Sequence, residues 1–318
     1  MMNLPNKQIL VTGGSGFLGN YVVKKLLEKG IPKEQISVPN RYNCDLTDGN
    51  NCHRIVKGKD VVIHLAGNGG GIGYNRKYPG SIFYDNTMMG IQLMEAARKE
   101  GVEKYVTIGT VCSYPKFAPI PMKEEDIWSG YPEETNASYG LSKKILLVQG
   151  NAYRQQYGFN SIHLLLVNLY GPKDNFDPEQ SHVIAAMIKK FYDASNSGQD
   201  VALWGTGKVS REFLYVEDAA EGIISATEQY NKPDPVNLGN DSEITIKKLA
   251  EIISNVIGYK GKIIWDSSKP DGQPRRRLDI NRAKKEFGWS PQVDIISGLK
   301  KTIDWYRQNI IDTKGVTK

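Results

Sequence analysis

A tyrosine and a lysine four residues apart form a pair whose types and spacing fit a chemical step. Tyr139 and Lys143 lie in a run with helical periodicity, Tyr139-Gly140-Leu141-Ser142-Lys143, and residues at i and i+4 share one face of a helix. We expect the ammonium to stabilise the phenolate and so lower the pKa of Tyr139, which would make the phenol a proton donor near neutral pH. The same spacing is common in ordinary surface pairs, so a catalytic role for Tyr139 and Lys143 needs support from other residues.

A glycine-rich turn near the start of the chain supplies such support. Gly13, Gly16 and Gly19 lie between a β-branched run and a helical pattern. Glycine lets backbone amides approach a pyrophosphate closely, and the N-terminus of a helix favours anions. With a strand before it and a helix after it, the turn predicts dinucleotide binding. A purely structural tight turn is the alternative.

The segment after the second predicted strand bears on the choice of dinucleotide. An NAD-binding chain usually places Asp or Glu there, against the ribose hydroxyls, but this chain has Val38-Pro39-Asn40-Arg41. The guanidinium of Arg41 suits a 2′-phosphate, and Asp45 and Leu46 follow where they could meet the adenine. The sequence therefore favours NADP, with a solvated loop arginine as the alternative for Arg41.

Longer stretches of sequence extend over nearly the whole chain and are more specific than either short motif. They are His64-Leu65-Ala66-Gly67 with residues 69–72, Cys112-Ser113-Tyr114-Pro115-Lys116-Phe117-Ala118-Pro119, Asn168-Leu169-Tyr170-Gly171-Pro172, Asp174-Asn175-Phe176, Ser181-His182-Val183-Ile184, Trp204-Gly205, Arg211-Glu212-Phe213-Leu214 and Ser268-Lys269-Pro270-Asp271-Gly272. Together with the glycine turn and the Tyr–Lys pair, they resemble the extended short-chain dehydrogenase/reductase family and, within it, the GDP-L-fucose synthases.

The resemblance implies a cofactor, an activity and a set of site residues. It implies NADPH-dependent 3,5-epimerisation and 4-keto reduction of GDP-4-keto-6-deoxy-D-mannose to GDP-L-fucose. The implied catalytic residues are Thr110, Tyr139 and Lys143 for reduction and Cys112 and His182 for epimerisation. The predicted cofactor contacts are Gly13, Gly16, Phe17, Leu18, Gly19, Arg41, Asp45, Leu46, Leu65, Ala66, Tyr139, Lys143, Asn168, Leu169 and His182. The implied contacts to the GDP diphosphate and sugar are Lys190, Trp204, Arg211 and Arg276, with a solvated basic loop at residues 275–277 as the alternative.

The two implied epimerase residues also fit the chemistry of a keto sugar. A 4-keto group acidifies the protons at C3 and C5, and inverting those centres needs a base and an acid on opposite ring faces. Cys112 lies two residues after Thr110, so an extended chain would point both side chains to one side, where the ammonium of Lys143 would favour the thiolate. His182 titrates in the useful range. The alternatives are a buried apolar cysteine and a histidine that makes only a local hydrogen bond.

The elements that must position these residues follow from hydrophobic patterning. Short β-branched runs predict strands at residues 9–12, 36–38, 61–65, 105–108 and 162–169, and helical periodicity predicts helices at 21–29, 87–99 and 139–157. Strands that alternate with helices predict an α/β fold with a doubly wound parallel sheet of Rossmann type. The second half predicts helices at 181–192, 216–228, 246–256 and 296–306 and strands near 201–204 and 262–265.

The same pattern predicts two domains. We expect residues 1–171 to form the NADP-binding domain, with residues 212–240 returning to it. Residues 172–211 and 241–318 would form a smaller, mixed α/β substrate domain for the nucleotide sugar.

Composition narrows the class of protein. With 40% hydrophobic and 24% charged residues the chain can bury a core, and its net charge of +6 is too diffuse to indicate nucleic acid. Three cysteines without a CxxC pair argue against a disulfide framework or a zinc site, so no metal is predicted. Apolar runs are too short for a membrane span. We expect a soluble, cytoplasmic protein, and the resemblance implies a homodimer formed through helices 81–99 and 139–157.

Two other functions fit the sequence. One is a 4-reductase or a 3,5-epimerase that acts on another 4-keto nucleotide sugar, of the heptose or colitose type. The other is a catalytically silent NADP-sensing protein. A sensor would not need Tyr139, Lys143, Cys112 and His182 together, which favours an enzyme.

Overall fold

The computed structural model describes residues 2–269 and 271–312. Met1, Pro270 and residues 313–318, which the predicted domains include, lie outside the described residues. The strands are β1 (Ile9–Thr12), β2 (Ile36–Ser37), β3 (Val61–His64), β4 (Lys104–Thr110), β5 (Ser161–Leu166), β6 (Asn168–Tyr170), β7 (Val201–Trp204), β8 (Ser210–Arg211), β9 (Phe213–Tyr215), β10 (Val236–Leu238), β11 (Ile244–Thr245) and β12 (Ile263–Asp266). The helices are α1 (Phe17–Glu28), α2 (Gly49–Val56), α3 (Ile72–Lys77), α4 (Pro79–Lys99), α5 (Ala137–Tyr157), α6 (Val183–Ser197), α7 (Val216–Gln229), α8 (Ile246–Ile257), α9 (Asn281–Phe287) and α10 (Ile295–Tyr306).

A parallel sheet forms the centre of the molecule. In the described part of the chain it has six strands, in the order β2-β1-β3-β4-β5-β10, and each neighbouring pair is parallel. The direction of winding reverses between β1 and β3, and open parallel sheets bind ligands at the carboxyl ends of the strands beside such a point. The predicted doubly wound α/β fold is confirmed.

Helices cover both faces of the sheet because successive strand residues point to opposite sides. In β1, Ile9 and Val11 pack in the core shared with α1 and α7, whereas Leu10 packs in the core shared with α2, α4 and α5. Burying such a side chain stabilises the fold by on the order of 1.5–3 kcal/mol. Two-sided burial explains why the strand sequences are continuously apolar.

A further hydrophobic core lies beyond the sheet. Ile188 of α6, Leu249 of α8 and Ile303 of α10 are buried in it, beside the paired strands β6 with β9, β7 with β12 and β8 with β11. The domain boundaries given above stay a prediction. No helix within residues 2–269 and 271–312 is long and apolar enough to cross a membrane.

The structure differs from the predicted elements in several places. The run 162–169 is not one strand, because β5 ends at Leu166 and β6 pairs with β9 outside the central sheet. The side chain of Asn168 donates to the carbonyl oxygen of Glu212 at 3.1 Å, which fixes β6 beside that segment. Helix α1 begins at Phe17, before the predicted residue 21, and the sequence pattern misses α2, α3, α9 and the short strands β8 to β11.

Candidate active site

A cavity of about 1430 Å³ opens between the carboxyl edge of the sheet and the core of α6, α8 and α10. Every site residue predicted from the sequence lines it. They are Gly13, Gly16, Phe17, Leu18, Gly19, Arg41, Asp45, Leu46, Leu65, Ala66, Thr110, Cys112, Tyr139, Lys143, Asn168, Leu169, His182, Lys190, Trp204, Arg211 and Arg276. The fold therefore brings together residues that lie up to 263 positions apart (276 − 13).

The glycine turn leaves the N-terminus of α1 bare. Gly13 has φ +70°, and a methyl group on it would lie 2.7 Å from the backbone nitrogen of Ala66. A methyl group on Gly19 would collide with the carbonyl oxygen of Gly13. Gly16 occupies the position before the first residue of α1, where its backbone is extended. Because no side chain fills this space, the backbone amides of the turn can hold an anion at the positive end of α1.

Arg41 and Asp45 lie at the rim of the cavity. Nη2 of the exposed Arg41 donates to the hydroxyl of Tyr42 at 3.0 Å, and its guanidinium lies 4.9 Å from the centre of that ring. Asp45 accepts hydrogen bonds from the backbone and hydroxyl of Thr47, and these bonds lower its pKa. Asp45 therefore anchors its own loop, while in the described chain Arg41 forms no ion pair with a carboxylate.

Tyr139 and Lys143 project from α5 towards the loop that follows β3. A methyl group on Gly67 would lie 3.3 Å from Nζ of Lys143, and one on Gly69 would lie 3.3 Å from Cε2 of Tyr139. Burial lowers the pKa of Lys143 to about 8. Neither the phenol oxygen nor Nζ has a hydrogen-bond partner among the described residues, so both are available to a ligand.

The pKa of Tyr139 differs from the expectation. Burial, followed by the nearby Cys112, raises it above the ordinary value for tyrosine. The prediction that Lys143 lowers this pKa is wrong for the protein alone, because burial disfavours the phenolate and is the largest cause of the shift.

The chain turns where β4 ends, and this turn carries Cys112. Residues 111–113 form a single 3₁₀ turn, and Oγ1 of Thr110 accepts from the backbone N–H of Cys112 at 3.1 Å. The hydroxyl of Ser113 donates to the carbonyl oxygen of Gly140 at 2.8 Å, which fixes the turn against the start of α5. The expectation of an extended chain here is therefore wrong, although Thr110 and Cys112 both line the cavity.

The cation in contact with Cys112 is Arg276, where the sequence suggested Lys143. Nη1 of Arg276 lies 3.5 Å from Sγ of Cys112, and Nη2 lies 4.0 Å from Oε2 of the buried Glu133. Arg211 also interacts electrostatically with Cys112. Sequence reasoning missed Glu133, whose only signal is the polar run Glu133-Glu134-Thr135-Asn136 just before α5.

His182 occupies the position before the first residue of α6. Its ring is open to the cavity, but the surrounding walls withdraw it from bulk water and lower its pKa below that of free histidine. The imidazole is therefore mainly neutral at neutral pH, and its protonated form is a stronger acid than usual. Both properties suit a group that exchanges protons.

Cations and an exposed indole lie at the far end of the cavity. Lys190 donates to the carbonyl oxygen of Ala202 at 3.0 Å, and burial lowers its pKa. Trp204 is 58% exposed, with Nζ of Lys269 5.8 Å from its ring centre. This end can bind a large anionic ligand. In residues 2–269 and 271–312, no three His, Cys, Asp or Glu side chains are grouped to hold a metal ion.

Comparison with known proteins places the chain in a family. The model of the NAD dependent epimerase/dehydratase family matches residues 9–239. The chain belongs to this family. Relatives in it include "Probable GDP-L-fucose synthase 1" of Oryza sativa subsp. japonica (38% identical, covering 96% of this chain and 94% of the relative) and "GDP-L-fucose synthase 1" of Arabidopsis thaliana (36%, covering 97% and 96%). "GDP-L-colitose synthase" of Yersinia pseudotuberculosis is 34% identical, covering 94% of this chain and 97% of that protein.

Solved structures share the fold over nearly the whole chain. A GDP-6-OMe-4-keto-L-xylo-heptose reductase from C. jejuni superposes with a TM-score of 0.90 at 26% identity, covering 96% of this chain and 99% of that one. A GDP-L-fucose synthetase from Naegleria fowleri bound to NADP gives 0.84 at 26% identity, covering 97% and 96%. All five of these proteins are named as enzymes of GDP-linked sugars.

Proposed function

We propose that this chain is an NADPH-dependent enzyme that converts GDP-4-keto-6-deoxy-D-mannose to GDP-L-fucose by 3,5-epimerisation and 4-keto reduction. One observation carries the proposal: the glycine turn, the Tyr139–Lys143 pair, Cys112 and His182 all face one cavity. Full-length likeness to GDP-L-fucose synthases supports the substrate.

The residues present fit NADPH. The space that a side chain at Gly13 or Gly19 would fill is left open beside the bare N-terminus of α1, as a pyrophosphate requires. Arg41 has free donors at the rim for a 2′-phosphate. When bound, NADPH supplies the hydride that reduces C4. The remaining predicted cofactor contacts line the same cavity; they are Phe17, Leu18, Asp45, Leu46, Leu65, Ala66, Asn168, Leu169 and His182.

Epimerisation would use Cys112 as base and His182 as acid. The thiolate takes the proton from C3 or C5, the C–H electron pair moves into the C4 carbonyl, and an enolate forms. A proton from His182 then reaches the opposite face of the same carbon and restores the ketone. Thr110 can donate a hydrogen bond to O4 of the enolate. Its hydroxyl oxygen accepts from the backbone N–H of Cys112, so the hydroxyl proton stays free for this bond.

Reduction would use Tyr139 as proton donor. The phenol gives its proton to O4 as C4 becomes tetrahedral, and the phenolate that remains is stabilised by the ammonium of Lys143. With a pKa of about 8, Lys143 is mainly cationic at neutral pH. Lys190 and Trp204 at the far end of the cavity, together with Arg211 and Arg276 nearer Cys112, would bind the GDP diphosphate and sugar.

A second candidate function is a 4-reductase or a 3,5-epimerase for another GDP-4-keto sugar. It is favoured by the similarity to a colitose synthase and a heptose reductase. The deciding experiment incubates the protein and NADPH with 4-keto sugars of the 6-deoxymannose, heptose and colitose types, and follows NADPH absorbance and product stereochemistry. GDP-L-fucose should form fastest from the 6-deoxymannose compound, and turnover of only the heptose or colitose compound contradicts the proposal.

We also propose a cytoplasmic homodimer. Among the described residues Cys44, Cys52 and Cys112 are free thiols, which fits a reducing compartment. The neighbouring helices α4 and α5 expose the large side chains Tyr84 and Val148, which an interface formed through these helices would cover. On the same two helices Leu146 is buried in the core, whereas Ile91 and Tyr153 are partly buried. Light scattering of the purified protein tests the dimer.

A further inference from the structure

Arg276 is a buried cation whose guanidinium touches the sulfur of Cys112. Arg276 is 7% exposed, and Nη1 donates to Sγ at 3.5 Å. Burying a guanidinium is costly unless it is paired and hydrogen-bonded. Its partners therefore indicate which group the guanidinium is built to hold.

Two further side chains fix the orientation of this guanidinium. Nε donates to Oε1 of Gln273 at 2.8 Å, and Nε2 of Gln273 donates to the carbonyl oxygen of Lys116 at 2.7 Å. Nη2 lies 4.0 Å from Oε2 of Glu133. Because the guanidinium is planar and rigid, these contacts at Nε and Nη2 leave Nη1 directed at Sγ.

Glu133 is itself held in the charged form. Burial alone would raise its pKa, but hydrogen bonds from Thr135 and Asn136 and the charge of Arg276 bring it below the ordinary value. The hydroxyl of Thr135 donates at 2.6 Å and the amide of Asn136 at 3.0 Å. A carboxylate therefore lies 4.0 Å from Nη2, while Nη1 is the nitrogen in contact with Cys112.

The other groups that interact with Cys112 do not replace this contact. Arg211 of β8 donates to the carbonyl oxygens of Ser210 and Asp271. Burial and then the charge of Arg276 lower the pKa of Arg211 to about 10. Tyr139 is neutral at ordinary pH. An anion beside the two arginines would relieve their repulsion, and Sγ is the atom that lies at hydrogen-bond distance from Arg276.

We propose that Arg276 is a positioning residue that holds the sulfur of Cys112 and stabilises negative charge on it, oriented for this role by Glu133 and Gln273. The proposal rests on the proposed function, in which this thiolate is the epimerase base. It adds a role through Cys112 to the contact with the GDP-linked sugar that is proposed for Arg276. During the step, the S–H bond forms as the C–H bond of C3 or C5 breaks, and the guanidinium keeps all its protons.

The test is the pH dependence of Cys112 alkylation by iodoacetamide, with the modified residue identified by peptide mass. Arg276→Met and Arg276→Gln both remove the charge, and Gln keeps hydrogen-bonding capacity. Arg275→Met is the matched control, because Arg275 is an exposed neighbour paired with Glu243. The buried Cys44 and Cys52 report on folding through their protection from the reagent.

We expect the alkylation midpoint to move upward by one pH unit or more in both Arg276 variants and to stay unchanged in Arg275→Met. At a pH below the wild-type midpoint, a shift of one pH unit makes alkylation of Cys112 in the Arg276 variants roughly tenfold slower than in wild type. An unchanged midpoint in either Arg276 variant whose Cys44 and Cys52 remain protected overturns the proposal. If one variant unfolds, the folded one decides.

A second readout separates this proposal from the function on which it rests. Deuterium incorporation at C3 and C5 of the keto sugar is measured against pH in the same variants. A profile that moves with the alkylation midpoint supports both proposals. A shifted alkylation midpoint with an unshifted deuterium profile supports the Arg276–Cys112 pairing and removes Cys112 as the base.

Discussion

At the scale of single residues, Arg41 is expected to determine cofactor choice. Its guanidinium is exposed at the cavity rim and forms no ion pair with a carboxylate in the described chain. Arg41→Ala should therefore raise the Michaelis constant for NADPH much more than for NADH, because only NADPH carries the 2′-phosphate. Arg54→Ala, on α2, removes the same charge outside the cavity and should change neither constant. Equal effects of Arg41→Ala on the two cofactors would show that Arg41 does not meet the 2′-phosphate.

Tyr139 is expected to supply the proton for reduction. Tyr139→Phe keeps the ring against the loop after β3 but removes the hydroxyl, so NADPH oxidation with the keto sugar should fall by roughly 10²-fold or more. Cofactor affinity, measured by fluorescence titration of NADPH, should stay within a few-fold. Turnover near the wild-type rate would assign proton donation to another group.

The contrast between Tyr139 and Cys112 shows which site features a sequence can reveal. The Tyr139–Lys143 spacing is local, because a helix brings i and i+4 together in any fold. The contact between Cys112 and Arg276 joins residues 164 positions apart, and the fold of the whole chain creates it. No sequence period encodes that contact, so the sequence suggested the nearer candidate, Lys143, as the cation.

At the scale of elements, a row of polar side chains crosses the apolar sheet. Thr12, His64, Thr107 and His163 are register partners on β1, β3, β4 and β5. Thr12 Oγ1 and His64 Nδ1 are 2.8 Å apart, but in the described structure His64 Nε2, Thr107 Oγ1 and both ring nitrogens of His163 have no partner. Each unpaired buried group costs on the order of 1–3 kcal/mol.

The row predicts that His163→Leu stabilises the protein at neutral pH. The substitution removes two unpaired ring nitrogens while keeping a similar volume. The free energy of unfolding in urea should rise by about 1 kcal/mol or more. His53→Leu, at a partly exposed position where Nδ1 lies 3.6 Å from a carboxylate oxygen of Glu100, is the control and should not stabilise. A loss of stability in His163→Leu would mean that the ring nitrogens are satisfied in solution.

The same histidine predicts acid sensitivity. Burial, followed by the charge of Lys143, lowers the pKa of both His163 and His64 to about 3. The unfolded chain, with a histidine pKa of about 6.5, then binds more protons between these two pH values, so stability falls as pH drops through that window. In His163→Leu, the free energy of unfolding should change less with pH, by up to about 1.4 kcal/mol per pH unit relative to wild type. The check is the free energy of unfolding in urea at pH 6 and pH 4, both within that window. If its change between these pH values is the same in His163→Leu as in wild type, the lowered pKa of His163 is contradicted.

The element boundaries show where patterning succeeds. The β-branched runs correctly predict β1, β3, β4 and β5, because central parallel strands are buried on both faces. The same rule fails at residues 162–169, because β5 ends at Leu166 and β6, Asn168-Leu169-Tyr170, pairs with β9 outside the sheet. A hydrophobic run predicts that a strand is buried, but it does not predict which strand it pairs with. That choice depends on residues distant in the sequence, such as Glu212.

At the scale of the whole molecule, one cavity gathers groups from the sheet and from the further core beyond it. The glycine turn and the Tyr–Lys pair come from the sheet side, whereas His182 lies just before α6 and Arg276 follows β12. The proposed acid His182 therefore comes from a different part of the chain than Tyr139 and Lys143, whereas the proposed base Cys112 lies two residues after Thr110. Because different side chains are proposed for the two chemistries, a substitution can remove one chemistry and leave the other.

Cys112→Ser is the substitution that should separate them. A serine hydroxyl is nearly the same size as the thiol but too weakly acidic to be a base at neutral pH, so deuterium incorporation at C3 and C5 should fall by ~10²–10⁴-fold. Tyr139, Lys143 and Thr110 remain, so the variant should still oxidise NADPH and reduce the unepimerised keto sugar, giving a product with the D configuration. Cys52→Ser makes the same change in the core, where Cys52 donates to the carbonyl oxygen of Leu46, and should leave deuterium exchange intact. Mass spectrometry of sugar recovered from D₂O, with NMR of the product, measures both outcomes. Exchange at the wild-type rate in Cys112→Ser would make Cys112 a packing thiol and assign the base to another residue of the cavity.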